Sequence, residues 1–386
     1  MVEEHIVYGP KPLIPISTDS SGLIFYNHFK NNPDVVAMSD STRNIVIKNK
    51  AVLRISCLLA IKLKQYDLDE NDVIGICTPN EVEVLYITLA SLYLGNTVTC
   101  FNPRYTNHEM TNCVKISNPK IVFCTDSSAD FFSNTLGIKK VVIVNGSTPT
   151  SKYESFETFI ASKVNEADLE QFHPVSVDVN DKVAFILYSS GTTGLPKGVC
   201  LTHKNVNTLI AFNEDPRLQP FYSGKASLGI LPFFHAAGLF VMLFNLLRNN
   251  EVVILKSFEP ELFLKTIQDK KIEFIQGVPT IANFLAKSPL VTKYNICLKY
   301  ITIGSGSLNP DIARKLIDRF QLKILFQKFG MTELSCGATT PTVTNNKFGS
   351  CGQLYPYMMS KVVDPDTGRT LGPYKSGELY FKGPKL

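Results

Sequence analysis

Tyr188-Ser189-Ser190-Gly191-Thr192-Thr193-Gly194-Leu195-Pro196-Lys197-Gly198 is the stretch on which the reading of this chain turns. It follows the apolar run Val183-Ala184-Phe185-Ile186-Leu187, long enough for a buried strand. Pro196 bars a helix through the stretch. Ser189, Ser190, Thr192 and Thr193 supply hydroxyls, and Gly191 and Gly194 let backbone N–H groups turn toward one point. Lys197 adds a full positive charge, so the occupant that suits these groups is a polyphosphate. A Ser/Gly-rich surface turn with a solvated lysine is the plainer reading of such a composition. The strand ahead and the mixture of hydroxyls, glycines and lysine favour the phosphate. The stretch is not the Gly-x-x-x-x-Gly-Lys-Ser/Thr loop of the NTPases, because Pro196 stands where its second glycine belongs.

Outward from this loop, short apolar runs alternate with helical patterns. Upstream, Val73 to Cys77, Thr97 to Cys100, Ile121 to Cys124 and Val141 to Val144 are predicted strands. Val52, Ile55, Leu58, Leu59 and Leu63 share one helical face. Asn80 is read as the cap of a helix that Glu81 and Glu83 favour at its positive end and that Gly95 stops. Thr106 and Glu109 spell a capping box. Downstream, strands are expected at Glu251 to Leu255, Ile272 to Gln276, Tyr300 to Ile303 and Leu322 to Phe326. Pro260, Pro279 and Pro310 open helices between and after them. Strands that are apolar throughout belong in parallel sheets covered on both faces, so the class is α/β: two parallel-type sheets flanked by helices. Beyond Pro341 short strands punctuated by glycine and proline form a β appendage. The division expected is 1–340 for the α/β core and 341–386 for the appendage.

Composition narrows the function. The 386 residues are 44% hydrophobic, ample for a core and incompatible with global disorder. A net charge of +5 with scattered lysines and arginines shows no nucleic-acid footprint. Nine cysteines without a Cys-x-x-Cys pair read as reduced core thiols of an intracellular protein, and the acidic start lacks an apolar leader core. The six histidines are too dispersed for a zinc motif. Ala226 to Leu247 is uncharged and long enough to span a bilayer, but Pro232 and His235 break it, so a strand, a turn and a buried helix are expected instead.

Three further places carry chemistry. Gly304-Ser305-Gly306 follows a predicted strand at the end where α/β sheets hold ligands, and it reads equally as a tight turn. Phe329-Gly330-Met331-Thr332-Glu333 places an aromatic face, a hydroxyl and a carboxylate in sequence. Those groups can stack a base and hold a hard cation such as Mg²⁺, or form a plain polar turn. His235, within Pro232-Phe233-Phe234-His235-Ala236-Ala237-Gly238, reads first as a core histidine making one hydrogen bond.

Taken in order, these motifs, with Gly349-Ser350-Cys351-Gly352 and Gly377-Glu378-Leu379 after them, resemble the acyl-adenylate-forming superfamily. Acyl-CoA synthetases, coumarate–CoA ligases and beetle luciferases belong to it. The resemblance implies a layered adenylation domain ending in a partial β-barrel. It also implies ATP-dependent activation of a fatty or aryl carboxylic acid to acyl-AMP with release of pyrophosphate. It places Ser189, Ser190, Gly191, Thr192, Thr193, Gly194 and Lys197 on the phosphates, and Glu333 with Thr332 on Mg²⁺. Phe329, Gly330 and Met331 would lie at adenine, with Gly304, Ser305 and Gly306 across from them, and His235 at the substrate carboxylate. Lys197, His235, Thr332 and Glu333 are the implied catalytic set.

The family continues past Gly377-Glu378-Leu379 with the rest of the barrel, a hinge and a mobile C-terminal domain. Only the large N-terminal domain is therefore expected here, and CoA only where that further domain exists. A peroxisomal setting is the family's, with an unknown oligomeric state. A luciferase-type monooxygenase and a non-catalytic nucleotide- or acyl-binding remnant are the alternatives. Glu214 before Asp215-Pro216, where luciferases carry arginine, and Lys328, where a glycine is usual, argue against luciferin.

Overall fold

The computed structural model describes residues 5–40, 42–145, 152–161, 165–189, 194–218 and 224–384. A seven-stranded sheet runs in the order Lys197–Thr202, Val183–Ser189, Thr97–Cys100, Val73–Cys77, Pro119–Cys124, Lys140–Ile143, Glu154–Ser155. All its neighbours are parallel except the first pair, an antiparallel hairpin. A second sheet joins Ala226–Gly229, Glu251–Ile254 and Val36–Asp40 in parallel, with Ile45–Lys48 antiparallel at its edge. A third, wholly parallel, holds Phe274–Gly277, Tyr300–Ile303 and Ile324–Gln327. The α/β class with helix-flanked, parallel-containing sheets is thus as expected.

The helix Glu83–Tyr93 is buried at every position, as its apolar composition requires of a helix covered all round. Ser21–Asn31 and Asn49–Lys64 pack beside it and bury Phe25, Phe29, Leu59 and Leu63 completely. A second core lies under the third sheet, where Pro260–Asp269, Pro279–Lys287 and Pro310–Phe320 each start with proline in the first turn. The capping box of Thr106 and Glu109 is formed in both directions. Toward the C-terminus, Met359–Val363 pairs antiparallel with Thr370–Leu371 and Glu378–Lys382, and also with the N-terminal Val7–Tyr8.

The uncharged run divides into the strand Ala226–Gly229 and the helix Ala236–Leu247. No helix of the described residues is long and apolar enough to cross a membrane. The described cysteines are all free thiols, and burial pushes Cys57, Cys77, Cys100 and Cys113 up to about 12, so these four are inert core groups.

The expectation for Asn80 is corrected. The helix begins at Glu83 after a Val82 cap, and no side chain caps it. Asn80 instead donates from Nδ2 to the carbonyls of Gly229, Leu231 and Leu255, and its Oδ1 accepts from Phe233 N–H at 2.8 Å. One buried amide thereby joins the first sheet to the turn that leads into His235. A tertiary demand for backbone partners has outcompeted the local helix cap.

His203, at the start of the helix His203–Glu214, is wholly buried. Its Nδ1 accepts from Ser21 N–H at 3.1 Å, and burial, with Lys182 nearby, lowers its pKa to about 4. The unfolded chain, with histidine near 6.5, therefore binds the extra proton at a higher pH than the folded one. Stability should be complete above pH 6.5 and decline toward pH 4, by up to about 3 kcal/mol from this residue. Urea titrations of the full chain across that window should show the slope, and His203→Asn should flatten it.

Candidate active site

The site is built on the hairpin. Lys197 lies directly opposite Ser189 in the antiparallel register, so the ladder's last pair holds a cation beside a hydroxyl. Residues 190–193 of the loop between them, hence Ser190, Gly191, Thr192 and Thr193, lie outside the described residues. The hairpin is anchored from below. Tyr188 donates its phenol to Cys113 O and accepts from Thr99 Oγ1, both at 3.0 Å. Asn112 Nδ2 donates to Pro196 O at 2.9 Å. These contacts fix the strand Val183–Ser189 and the start of its antiparallel neighbour.

The second polar turn meets the hairpin. Ser189 Oγ donates to Glu333 Oε1 at 2.8 Å, across 144 residues of sequence. Glu333 occupies a short 3₁₀ turn, Thr332–Leu334, within a backbone loop closed on itself: Ala338 N–H donates to Phe329 O at 2.8 Å and Cys336 N–H to Met331 O at 3.1 Å. Thr332 is buried, whereas Phe329 and Met331 are exposed. The Phe329 ring is backed by Phe381, with centroids 5.9 Å apart and planes at 21°.

Gly304 ends the strand Tyr300–Ile303. A Cβ built on it would meet nothing within 4 Å, and its φ needs no glycine. Packing and backbone therefore leave this glycine unexplained, whereas close approach of a ligand explains it. Gly304→Val should raise the KM for ATP at least about tenfold with little loss of thermal stability. Steady-state kinetics read beside a melting curve check both halves of that statement.

His235 caps the helix Ala236–Leu247 through its own ring, Nδ1 accepting from Ala237 N–H at 3.3 Å. Here the core-histidine reading is corrected: the ring lies open to a cavity rather than within the core. Burial along the cavity wall lowers its pKa, so the neutral ring prevails near pH 7. With Nδ1 accepting, the proton of that neutral ring sits on Nε2.

Ser189, Lys197, His235, Gly304, Ser305, Phe329, Gly330, Met331, Thr332 and Glu333 all line one cavity of about 530 Å³. Gly194, at φ +101°, and Gly306, whose Cβ would lie 3.1 Å from Pro279, are not part of its lining. Among the described residues no three His, Cys, Asp or Glu side chains cluster for a metal. A single carboxylate with hydroxyl neighbours remains, and this set suits a hard cation that takes its other oxygens from phosphate and water.

The cavity also holds groups not singled out as ligands from the sequence. Arg248, at the end of the helix that His235 begins, and Lys328, just ahead of Phe329, both line it, as do Phe240, Phe244 and Tyr355. Arg248 follows a helix C-terminus, where a cation ordinarily serves the dipole, so local sequence carried no ligand signal. Burial, and then the Arg248 guanidinium, lower the Lys328 ammonium to about 7.

Comparison with known proteins bears on this site. A family model described as AMP-binding enzyme matches residues 25–386. The luciferin 4-monooxygenase of Photuris pensylvanica is 33% identical over 99% of this chain and 72% of its own length. A probable 4-coumarate–CoA ligase of Dictyostelium discoideum is 29% identical over 94% of this chain and 69% of its own. Among solved structures, a natural red-emitting luciferase from Phrixothrix hirtus superposes with a TM-score of 0.88 at 33% identity, covering 99% of this chain and 72% of that one. With the hairpin, the carboxylate turn and the open glycine gathered on one cavity, the chain belongs to the AMP-binding enzyme family of adenylate-forming enzymes.

Proposed function

We propose that this chain uses ATP to convert a carboxylic acid, fatty or aryl, to its acyl-AMP with release of pyrophosphate. The observation that carries this reading is the Ser189–Glu333 hydrogen bond. It brings the phosphate-type loop and the carboxylate turn to the same mouth of the cavity. In the reaction a substrate carboxylate oxygen bonds to the α-phosphorus as the bond to the β-phosphate oxygen breaks, and pyrophosphate departs with its electrons. The nucleophile belongs to the substrate, so the protein's work is positioning and charge stabilisation.

Lys197, at the hairpin's end, is assigned to the departing phosphates, together with Ser190, Gly191, Thr192, Thr193 and Gly194. Phe329 offers a ring to adenine, and Gly304 to Gly306 flank it. His235, neutral and protonated on Nε2, donates to the substrate carboxylate. It orients the nucleophile without the tight ion pair that would quench it. Glu333, with Thr332, would hold a magnesium ion, which supplies Lewis-acid neutralisation of the phosphates. Residues 1–340 are taken as the adenylation core and 341–386 as the opening of the β-barrel.

Acid-dependent exchange of labelled pyrophosphate into ATP, run over a panel of fatty and aryl acids, tests the reading. Exchange with at least one acid is expected; ATP binding without any exchange would leave a binding remnant. Lys197→Ala should raise the KM for ATP roughly tenfold to a hundredfold, the worth of a charge-assisted contact, and change kcat less. The likeness to the Photuris luciferin 4-monooxygenase supports a second reading, in which the adenylate is oxidised. Oxygen-dependent light with luciferin distinguishes that outcome from thioester formation with CoA.

A further inference from the structure

The third sheet gives the cavity one of its walls. In its parallel register Gln276 lies directly beside Thr302, and Phe274 beside Tyr300. Alternation along these strands sends Ile275, Ile301 and Ile303 into the core under the sheet. Phe274, Gln276 and Thr302 therefore share the other face, and all three line the cavity. Neighbouring strands run about 4.8 Å apart, so the Gln276 amide and the Thr302 hydroxyl stand side by side as one polar pair. Gly304, at the strand's end, is about 7 Å further along.

Among the described residues no hydrogen bond reaches the side chain of either Gln276 or Thr302, although Thr302 is only 2% exposed. The hydroxyls of Thr78 and Thr88 are sealed in the interior; that of Thr302 is not, and it opens on the cavity. Another part of the lining is apolar. Ala237, Val241 and Phe244 fall three or four residues apart and share one face of the helix Ala236–Leu247. Buried polar groups are ordinarily paired, so a pair left open on a cavity takes its partner from whatever enters. A plain hydrocarbon chain would displace water from Gln276 and Thr302 and return no hydrogen bond, which lowers affinity. A ligand oxygen placed there makes good the loss. Both side chains donate and accept and neither is charged, so the group they suit is a neutral hydroxyl or carbonyl.

We propose that the acid activated here carries a neutral oxygen function, a hydroxyl or a carbonyl, partway along its body, and that Gln276 and Thr302 together select for it. This rests on the adenylation reading for what happens at the carboxylate; the selection itself needs only the cavity. The oxygen sits either on an aliphatic chain or on an aryl ring, and matched acids of the two kinds distinguish these sources.

The test uses the full chain and two matched sets: mid-chain hydroxy- and oxodecanoic acids against decanoic acid, and hydroxyphenylpropanoic acid against phenylpropanoic acid. In at least one set wild type should prefer the oxygenated acid by roughly tenfold to a hundredfold in kcat/KM for pyrophosphate exchange. Thr302→Val and Gln276→Leu should each reduce that preference, and the double variant should remove it, with the change falling on the KM for the acid. No protein group loses a hydrogen bond in Thr302→Val, so its melting temperature without ligand should match that of wild type, which a structural hydroxyl would not allow. Melting is also read with each acid in the absence of ATP. There the oxygenated acid should stabilise wild type more than its parent does, and the double variant should respond to both alike. Such a difference without exchange would sink the adenylation reading and leave this one standing. The proposal is overturned if neither readout separates the members of either set, or if the variants keep the preference and raise the KM for ATP instead.

Discussion

Glu333→Ala should slow acid-dependent pyrophosphate exchange by roughly 100- to 1000-fold, while the affinity for ATP changes by much less. The reason lies in how the carboxylate is held. Ser189 donates to Oε1 at 2.8 Å, and the turn carrying Glu333 is tied back at Leu334, Ser335 and Cys336. The side chain is therefore fixed before any substrate arrives. Under the proposed function this carboxylate would position a cation at the α-phosphate and act most where charge builds up in the transition state, so its loss should fall on turnover. Under the proposed function Lys197, in the last pair of the hairpin, would meet phosphate oxygens that are charged in ATP already, so its loss should fall on binding. Ser189→Ala should show a weaker form of the Glu333 effect, since it frees the carboxylate without removing it. If Glu333→Ala and Lys197→Ala instead shift KM and kcat by the same factors, the division of roles is wrong.

Both residues stand in motifs that the sequence announces, but the elements around them differ in how plainly they can be read. Val73–Cys77, Thr97–Cys100, Tyr300–Ile303, Pro260–Asp269 and Pro310–Phe320 agree with their expected bounds because burial on both faces, or a proline at the first turn, leaves a local signature. The strand Lys197–Thr202 left none. It is an edge strand, with Lys197 and Cys200 exposed and Leu201 buried, and without a continuous apolar run it gives no strand pattern. The helix His203–Glu214 was missed with it, although Thr202 and Asn205 form a reciprocal cap there; Asn replaces the Glu or Gln that makes such a box recognisable. The composition of the mouth of the site was legible because hydroxyls, glycines, a lysine and a carboxylate cluster in short motifs. The far end was not. Arg248 and Lys328 are separated by 80 positions, and each has an ordinary local role, so only the tertiary fold brings both to the lining of one cavity. The Asn80 cap was misread for a related reason, since its partners Gly229, Leu231 and Leu255 lie at or just beyond the strand ends of another sheet.

Gly330→Ala should abolish exchange, by more than about 100-fold, and should also lower stability by about 3–5 kcal/mol. A Cβ at this position would lie 1.6 Å from the Cys336 carbonyl oxygen and 2.7 Å from Gly337 Cα. Both are backbone atoms, so no rotamer change relieves the overlap and the loop itself must open. Opening breaks the Ala338-to-Phe329 hydrogen bond and the lone bridge between Phe329 and Thr339. It also releases Ser335 and Cys336, which are held at left-handed φ values of 50° and 93°, a conformation that non-glycine residues keep only when neighbours enforce it. Once the loop relaxes, Glu333 loses its register with Ser189 and Phe329 its seat against Phe381. The contrast with Gly304 makes the prediction specific. There a side chain meets empty cavity, so under the proposed function substitution should block nucleotide while sparing the fold; here it meets backbone, so activity and fold should fail together. Melting curves and exchange rates for Gly304→Val and Gly330→Ala should therefore diverge, and a Gly330→Ala protein with wild-type stability would show that the loop's closure does not depend on the missing side chain.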